Sequence, residues 1–124
     1  MKKVIAIIVS MIMVLAMVPL NAFAGEIIDF TNPEDGYNYE VYLGDEYAWI
    51  MDFKSDAVNV NVPDTINGKI VTFIDPSVFE GKSVEEVVLP DSVKEIRFEA
   101  FRDCVNLKKV NIPANTELIG FSTF

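Results

Sequence analysis

The stretch from Val84 to Phe124 repeats itself, and that restricts the folds open to this chain more than any other feature. Val84-Glu-Glu-Val-Val-Leu-Pro90-Asp-Ser-Val-Lys-Glu-Ile-Arg-Phe-Glu-Ala-Phe101 is followed by Leu107-Lys-Lys-Val-Asn-Ile-Pro113-Ala-Asn-Thr-Glu-Leu-Ile-Gly-Phe-Ser-Thr-Phe124. Val84 and Leu107, Val87 and Val110, Leu89 and Ile112, Pro90 and Pro113, Ile96 and Ile119, and Phe101 and Phe124 stand 23 positions apart in the numbering. A period of roughly 20–29 residues marks a stacked solenoid of the leucine-rich-repeat kind. Each unit shows too narrow an apolar face to bury alone, so stacking makes the array stable.

An earlier, irregular repeat spans 58–83. Val62-Pro63 matches Leu89-Pro90, Ile74 matches Ile96 and Phe79 matches Phe101. The spacing mismatch falls on Ile66-Asn-Gly-Lys-Ile-Val-Thr72, where Asn67-Gly68 signals a tight turn and a small extra hairpin. The inward set is then Val60, Val62, Ile74 and Phe79, stacked under Val87, Leu89, Ile96 and Phe101. Those stack under Val110, Ile112, Ile119 and Phe124. A proline ends each strand because it cannot donate to the ladder.

Upstream, Gly25 to Asn32 is mixed and Asn32-Pro-Glu-Asp-Gly36 is a turn cluster. Tyr37 to Leu43 and Glu46 to Phe53 read as strands joined by a two-residue Gly44-Asp45 turn, with positive φ at Gly44. In the second strand, alternation puts Tyr47, Trp49, Met51 and Phe53 on one face. Such a hairpin is a natural cap for the first coil. Residues 1–24 read as a cleaved export signal: Lys2 and Lys3, an apolar run from Val4 to Leu20, and Ala22-Phe-Ala24 as the cleavage site. The alternative is an uncleaved anchor, the one route by which the chain would touch a membrane. The organisation read from the sequence is thus a signal peptide (1–24), a β-hairpin cap (25–57) and about two and a half repeats (58–124). The last repeat is incomplete, leaving Ile112, Ile119 and Phe124 open to further repeats or to self-association.

The charge narrows the partners. With 19 acidic and 10 basic residues, the net charge is −9, which repels phosphate backbones and argues against nucleic acid. The chain has no histidine, removing Ser-His-Asp and Cys-His catalysis and imidazole metal sites. Cys104 is the sole cysteine, so no intramolecular disulfide forms.

The pattern resembles the BspA-like (Treponema pallidum-type) leucine-rich repeat family. The resemblance rests on Val87-Val-Leu-Pro-Asp-Ser-Val-Lys-Glu-Ile96 and Ala100-Phe101-Arg-Asp-Cys104-Val-Asn-Leu107, with Thr65 to Thr72 like the longer first repeat of such arrays. It covers about residues 37–124. The chain departs from it where Gly81-Lys82 replaces a cysteine and where Gly120 to Phe124 stops in mid-repeat. The resemblance implies a β-rich solenoid of short parallel strands with helical or loop turns, secreted or on a bacterial surface. It also implies a non-catalytic protein-binding or adhesion module, without cofactor.

On a solenoid of this kind the strand faces pointing away from the core form the interaction surface. Here they read Asn59, Glu86 and Lys109 across the strands, flanked by Val58, Glu85 and Lys108 on one side and Asn61, Val88 and Asn111 on the other. The partner would be a protein or a glycan. A structural role as capping or spacer segment of a larger surface protein, or as accessory domain of a secreted enzyme, stays open beside it. Cys104 reads as a small packed residue, with a thiol activated by Arg102 and Lys108 as the alternative. Trp49 with Tyr37, Tyr39, Tyr42 and Tyr47 reads as packed cap, with sugar stacking as the alternative. Asn32, Glu34, Asp35, Asp45 and Glu46 lack calcium-loop spacing, and the pairs Glu85-Glu86 and Glu95/Glu99 lack the enclosed pocket of a glycosidase.

Overall fold

A computed structural model describes residues 25–124, and the expected export signal lies outside them. Ten strands follow in order: β1 (Glu26–Thr31), β2 (Asn38–Leu43), β3 (Tyr47–Phe53), β4 (Asn59–Asn61), β5 (Thr65–Ile66), β6 (Lys69–Ile74), β7 (Glu86–Val88), β8 (Glu95–Ile96), β9 (Lys109–Val110) and β10 (Leu118–Ile119). They form two sheets. The smaller is parallel, in the order β4-β7-β9; the larger runs β1-β2-β3-β6-β8-β10, with β5 paired to β6. Each coil crosses once through each sheet, and the core lies between them. No helix occurs among the described residues, so the connections expected to be helical or looped are turns.

The coils are zipped by backbone bonds that continue beyond the strands. Phe79 N–H donates to the Ala100 carbonyl and Phe101 N–H to that of Thr123, each at 2.8 Å. Gly81 N–H reaches the Arg102 carbonyl at 2.8 Å, and Lys108 N–H the Glu85 carbonyl at 2.8 Å. The loops thereby satisfy backbone groups that the packed interior takes from water. Ser77, Glu99 and Ser122 share a left-handed conformation (φ 63°, 59° and 52°), so the corner after the larger sheet is built alike in every coil.

Side chains repeat the register. Phe79 stacks on Phe101 with centroids 5.1 Å apart, Phe101 on Phe124 at 5.5 Å, both pairs within 5° of parallel. Val60, Val62, Ile74, Phe79, Val87, Leu89, Ile96 and Phe101 are all buried. In the last coil Val110 is half-buried, whereas Ile112, Ile119 and Phe124 are exposed, Phe124 by 60%. Gly120 stands where a side chain would strike the backbone of the coil below: a Cβ there would lie 2.7 Å from Phe98 Cα.

The cap extends the larger sheet. β2 and β3 form the hairpin, β3 runs parallel to β6, and β1 adds a third strand on the outer edge of β2. The mixed reading of 25–32 missed β1, whose Ile28 and Phe30 pack on the core while Ile27 and Asp29 face water. The hairpin tip also differs. Gly44 has no positive φ, and its N–H donates to the Tyr47 carbonyl at 2.9 Å, so Asp45-Glu46 forms the bend. The Asn67-Gly68 turn has positive φ at both residues (49° and 77°), the conformation that matches strand twist in tight hairpins.

Strict alternation along β3 does not hold. Glu40 pairs with Asp52 and Val41 with Ile50, leaving Met51 as an extra residue. This bulge shifts the phase of the strand. Ala48, Ile50 and Phe53 are buried, while Tyr47 and Trp49 face outward. Phe53 then heads the phenylalanine column, 5.2 Å from Phe79.

That column makes a sharp expectation. Phe101→Ala removes a ring packed between two others and should lower unfolding free energy in urea by about 3–5 kcal/mol. Phe98→Ala, at a partly exposed ring stacked on Phe121 at 5.3 Å, should cost only about 1 kcal/mol. Equal losses would show that the inner column has no special role.

Candidate functional site

The outward face of the smaller sheet carries the strip expected from the sequence spacing. Asn59 lies opposite Glu86, and Glu86 opposite Lys109, while Asn61 lies opposite Val88. Lys108 Nζ reaches Glu85 Oε2 at 2.9 Å and Lys109 Nζ reaches Glu86 Oε1 at 3.7 Å. These exposed pairs contribute about 0–1 kcal/mol each and chiefly favour the correct strand pairing. Val88 is 41% exposed among them, an apolar spot in a polar surround. Asn111 is used differently. Its amide accepts from Leu89 N–H at 2.7 Å and donates to the Leu89 carbonyl at 2.9 Å, replacing the strand where β9 stops. Chemically, the strip offers paired charges around one apolar contact on an open face.

The outward face of the larger sheet holds a second constellation that the sequence reading did not assemble. Tyr42 pairs across β2–β3 with Trp49, and Trp49 across β3–β6 with Phe73. Their rings meet at 5.1 Å and 5.0 Å, tilted by 47° and 71°. The Arg97 guanidinium carbon lies 4.8 Å from the Trp49 ring centroid and 5.1 Å from that of Phe73. Arg97 also binds Asp75 Oδ1 at 2.9 Å and Glu95 Oε2 at 3.2 Å. Burial pushes the Asp75 carboxyl above its ordinary value, and Arg97 offsets part of that rise. The single group of five aromatics expected around Trp49 is thus split. Tyr37 and Tyr39 join Phe53 on the inner side (5.8 Å and 5.2 Å), and Tyr42, Tyr47 and Trp49 lie outside. Three residues on three strands at uneven separations carry no periodic signal, which hid the outer group.

Beside this row, at the β2–β3 tip, Tyr42, Gly44, Asp45, Glu46, Tyr47 and Trp49 line an open cleft of about 430 Å³. The tip is held from behind. Ile70 N–H donates to the Glu46 carbonyl at 3.1 Å, and Lys69 Nζ donates to the Asp45 carbonyl at 2.5 Å.

The remaining candidates are occupied locally. Cys104 Sγ donates to the Phe79 carbonyl at 2.9 Å, and burial raises its pKa, opposite to the activation by Arg102 and Lys108 weighed from sequence. Asn32 Oδ1 accepts from Glu34 N–H and Asp35 Oδ1 from Tyr37 N–H, both within the turn. Glu95 binds Arg97 and Glu99 binds Arg102, at 2.9 Å for the latter. The buried Tyr39 hydroxyl has no hydrogen-bond partner among the described residues; burial, then Asp35 and Tyr37, raises its pKa.

Residues 59–124 match the family described as "BspA type Leucine rich repeat region (6 copies)". Among solved structures, a leucine-rich cell surface protein of Faecalibacterium prausnitzii is similar at 25% identity and a TM-score of 0.64. The likeness covers 82% of this chain and 28% of that one, so the chain spans just over a quarter of its relative's length. A leucine-rich repeat protein of Bacteroides capillosus shares the fold at 20% identity and a TM-score of 0.59, over 77% of this chain and 93% of that one. No curated protein matches the chain.

Arg97 ties the cap to the repeats, and that tie is measurable. Arg97→Met keeps the stem but removes two ion pairs and the cation over Trp49. It should lower stability by about 1–2 kcal/mol and shift Trp49 fluorescence to the red as its ring gains water. An unchanged spectrum and midpoint would show that the guanidinium contributes nothing there.

Proposed function

The chain belongs to the BspA-type leucine-rich repeat family, and from that premise we propose that it is a surface-exposed or secreted protein-interaction module, acting in adhesion and without bond chemistry. The observation that carries this reading is the strip on the smaller sheet. Its strands lie in register, present paired charges around the exposed Val88, and are held by coil-to-coil bonds. A partner meeting such a surface loses little to ordering it, because the backbone is already fixed. The charged pairs would select partners more than bind them, since rim charges govern encounter and discrimination. Cleavage after Ala24 and export belong to the same proposal, as does division into a cap (25–57) and repeats (58–124). So does the role of Asn59, Asn61, Glu85, Glu86, Val88, Lys108, Lys109 and Asn111 as the docking face.

Labelled protein should bind cultured epithelial monolayers, and protease pretreatment of the monolayer should abolish that binding. Asn59→Arg combined with Val88→Arg, both on exposed positions, should weaken it by roughly tenfold, about 1.4 kcal/mol. Binding lost to glycosidase treatment and spared by protease would replace the protein partner with a glycan.

A second reading is favoured by the last coil. Ile112, Ile119 and Phe124 form an exposed apolar end that continues the buried columns, with exposed Leu118 and Phe121 beside them. Covered by further coils, this chain is a capping segment of a larger surface protein; covered by a second copy, it is a dimer. Light scattering of the purified chain should show mass rising with concentration, and Phe124→Asp should hold it monomeric. A concentration-independent monomer would leave self-association unsupported.

A further inference from the structure

We propose that the cleft at the β2–β3 tip is a cation-recognition site that takes an arginine or lysine side chain of a protein partner; this rests on the reading of the chain as a protein-interaction module. Three aromatic rings (Tyr42, Tyr47 and Trp49) and two carboxylate-bearing residues (Asp45 and Glu46) line it, with no basic residue among them. Aromatic faces attract cations through their quadrupoles, and carboxylates at the rim add direct charge. Lys69 lines the cleft on the other side of the tip, and its ammonium is bound to the Asp45 carbonyl.

Ring geometry separates a cation from a sugar. Stacking on a sugar calls for a flat, open ring face. Here Tyr42 is tilted 47° to Trp49, Phe73 meets Trp49 edge-on at 71°, and Tyr47 meets Phe73 at 81°. Tilted rings make walls, not a platform. The same row already holds one cation: Arg97 sits over Trp49 and Phe73, with two carboxylates completing its shell. The cleft presents the same kinds of group, aromatic rings and carboxylates, at the other end of the row, without an arginine of its own. Asp45 and Glu46 are exposed and make no ion pair among the described residues, and their backbone carbonyls are held by the Lys69 ammonium and the Ile70 N–H. The net charge of −9 favours the approach of a basic segment to the protein as a whole.

Trp49 is the sole tryptophan, so its fluorescence reports directly on the cleft. The full chain would be titrated with a capped hexa-arginine peptide, with hexa-citrulline (the same shape without charge), and with maltohexaose. Hexa-arginine should give a saturable change in Trp49 emission, and hexa-citrulline should bind at least about tenfold more weakly. Tyr47→Ala, and separately Asp45→Asn with Glu46→Gln, should each weaken hexa-arginine binding by about tenfold or more. The carboxamide pair keeps size and touches no structural bond, so it remains informative if Tyr47→Ala disturbs the fold. Four outcomes overturn the proposal: no response to hexa-arginine, equal binding of citrulline, undiminished binding by both variants, or a response to maltohexaose alone. The monolayer assay separates this from the underlying reading. Protein-dependent adherence without hexa-arginine binding removes the cleft alone. Hexa-arginine binding without any protein-dependent adherence removes the interaction-module reading and keeps the cation chemistry.

Discussion

Everything in this molecule depends on one coil lying in register on the next. The bonds that do this are not confined to strands. β7, β8, β9 and β10 are two or three residues long, too short to hold a sheet by themselves, yet corner residues such as Phe79, Gly81 and Phe101 donate to the following coil at 2.8 Å. Hydroxyls join in: Ser92 Oγ donates to the Val71 carbonyl at 2.6 Å and Thr116 Oγ1 to that of Val93 at 3.1 Å. Because many backbone groups have their partner one coil away, sliding a single coil would orphan several of them at once. The inner phenylalanine column enforces the same register by shape. Two constraints of different physical origin therefore select one alignment, and consistency of this kind specifies a fold.

This framework tolerates irregular spacing because coils need agree only where they touch. The first coil is longer than the second by the β5–β6 hairpin, which folds out at Asn67-Gly68 and returns with Ile74 in place. Insertions at corners cost little, whereas one in a strand would reverse its faces. The cap shows what happens when an extra residue does enter a strand. Met51 is bulged, and its insertion lets Trp49 serve the outer face while Phe53 serves the inner. One residue thus couples the aromatic row that Arg97 clamps to the column that runs through the repeats.

The sequence displayed the fold well where periodicity carried it. The spacing of Val87, Leu89, Ile96 and Phe101 located the inward set that stacks from coil to coil, and Asn67-Gly68 located the small hairpin. Three features were less visible. β1 alternates only over Ile28-Asp29-Phe30-Thr31, and it becomes a strand by pairing with β2, a contact that composition does not announce. The bulge at Met51 depends on how β3 must meet both β2 and β6, so no local pattern in β3 reveals it. Arg97 repeats neither Asp75 below nor Gly120 above, and its stacking on Trp49 joins residues from different parts of the chain. The outward strip on the smaller sheet was legible as placement, since register follows from the repeat. The bonding of Asn111 to Leu89 was not, because β9 had first to end at Val110.

The distribution of charge bears on what kind of partner such a surface can hold. Among the described residues most basic side chains are spent internally: Lys54 on Asp29 and Glu40, Arg97 on Asp75 and Glu95, Arg102 on Glu99, and Lys108 and Lys109 on Glu85 and Glu86. With acids nearly twice as numerous as bases, many carboxylates have no ion-pair partner among the described residues, and Asp45 and Glu46 at the cap tip are among them. A partner must complement that surplus or be repelled by it, so the acidity acts as a filter before any specific contact forms. A rigid scaffold strengthens the filter. Fixed backbone at the tip and along the strip cannot turn its charges away to accommodate a poor match, so discrimination comes from the same zipped coils that give stability.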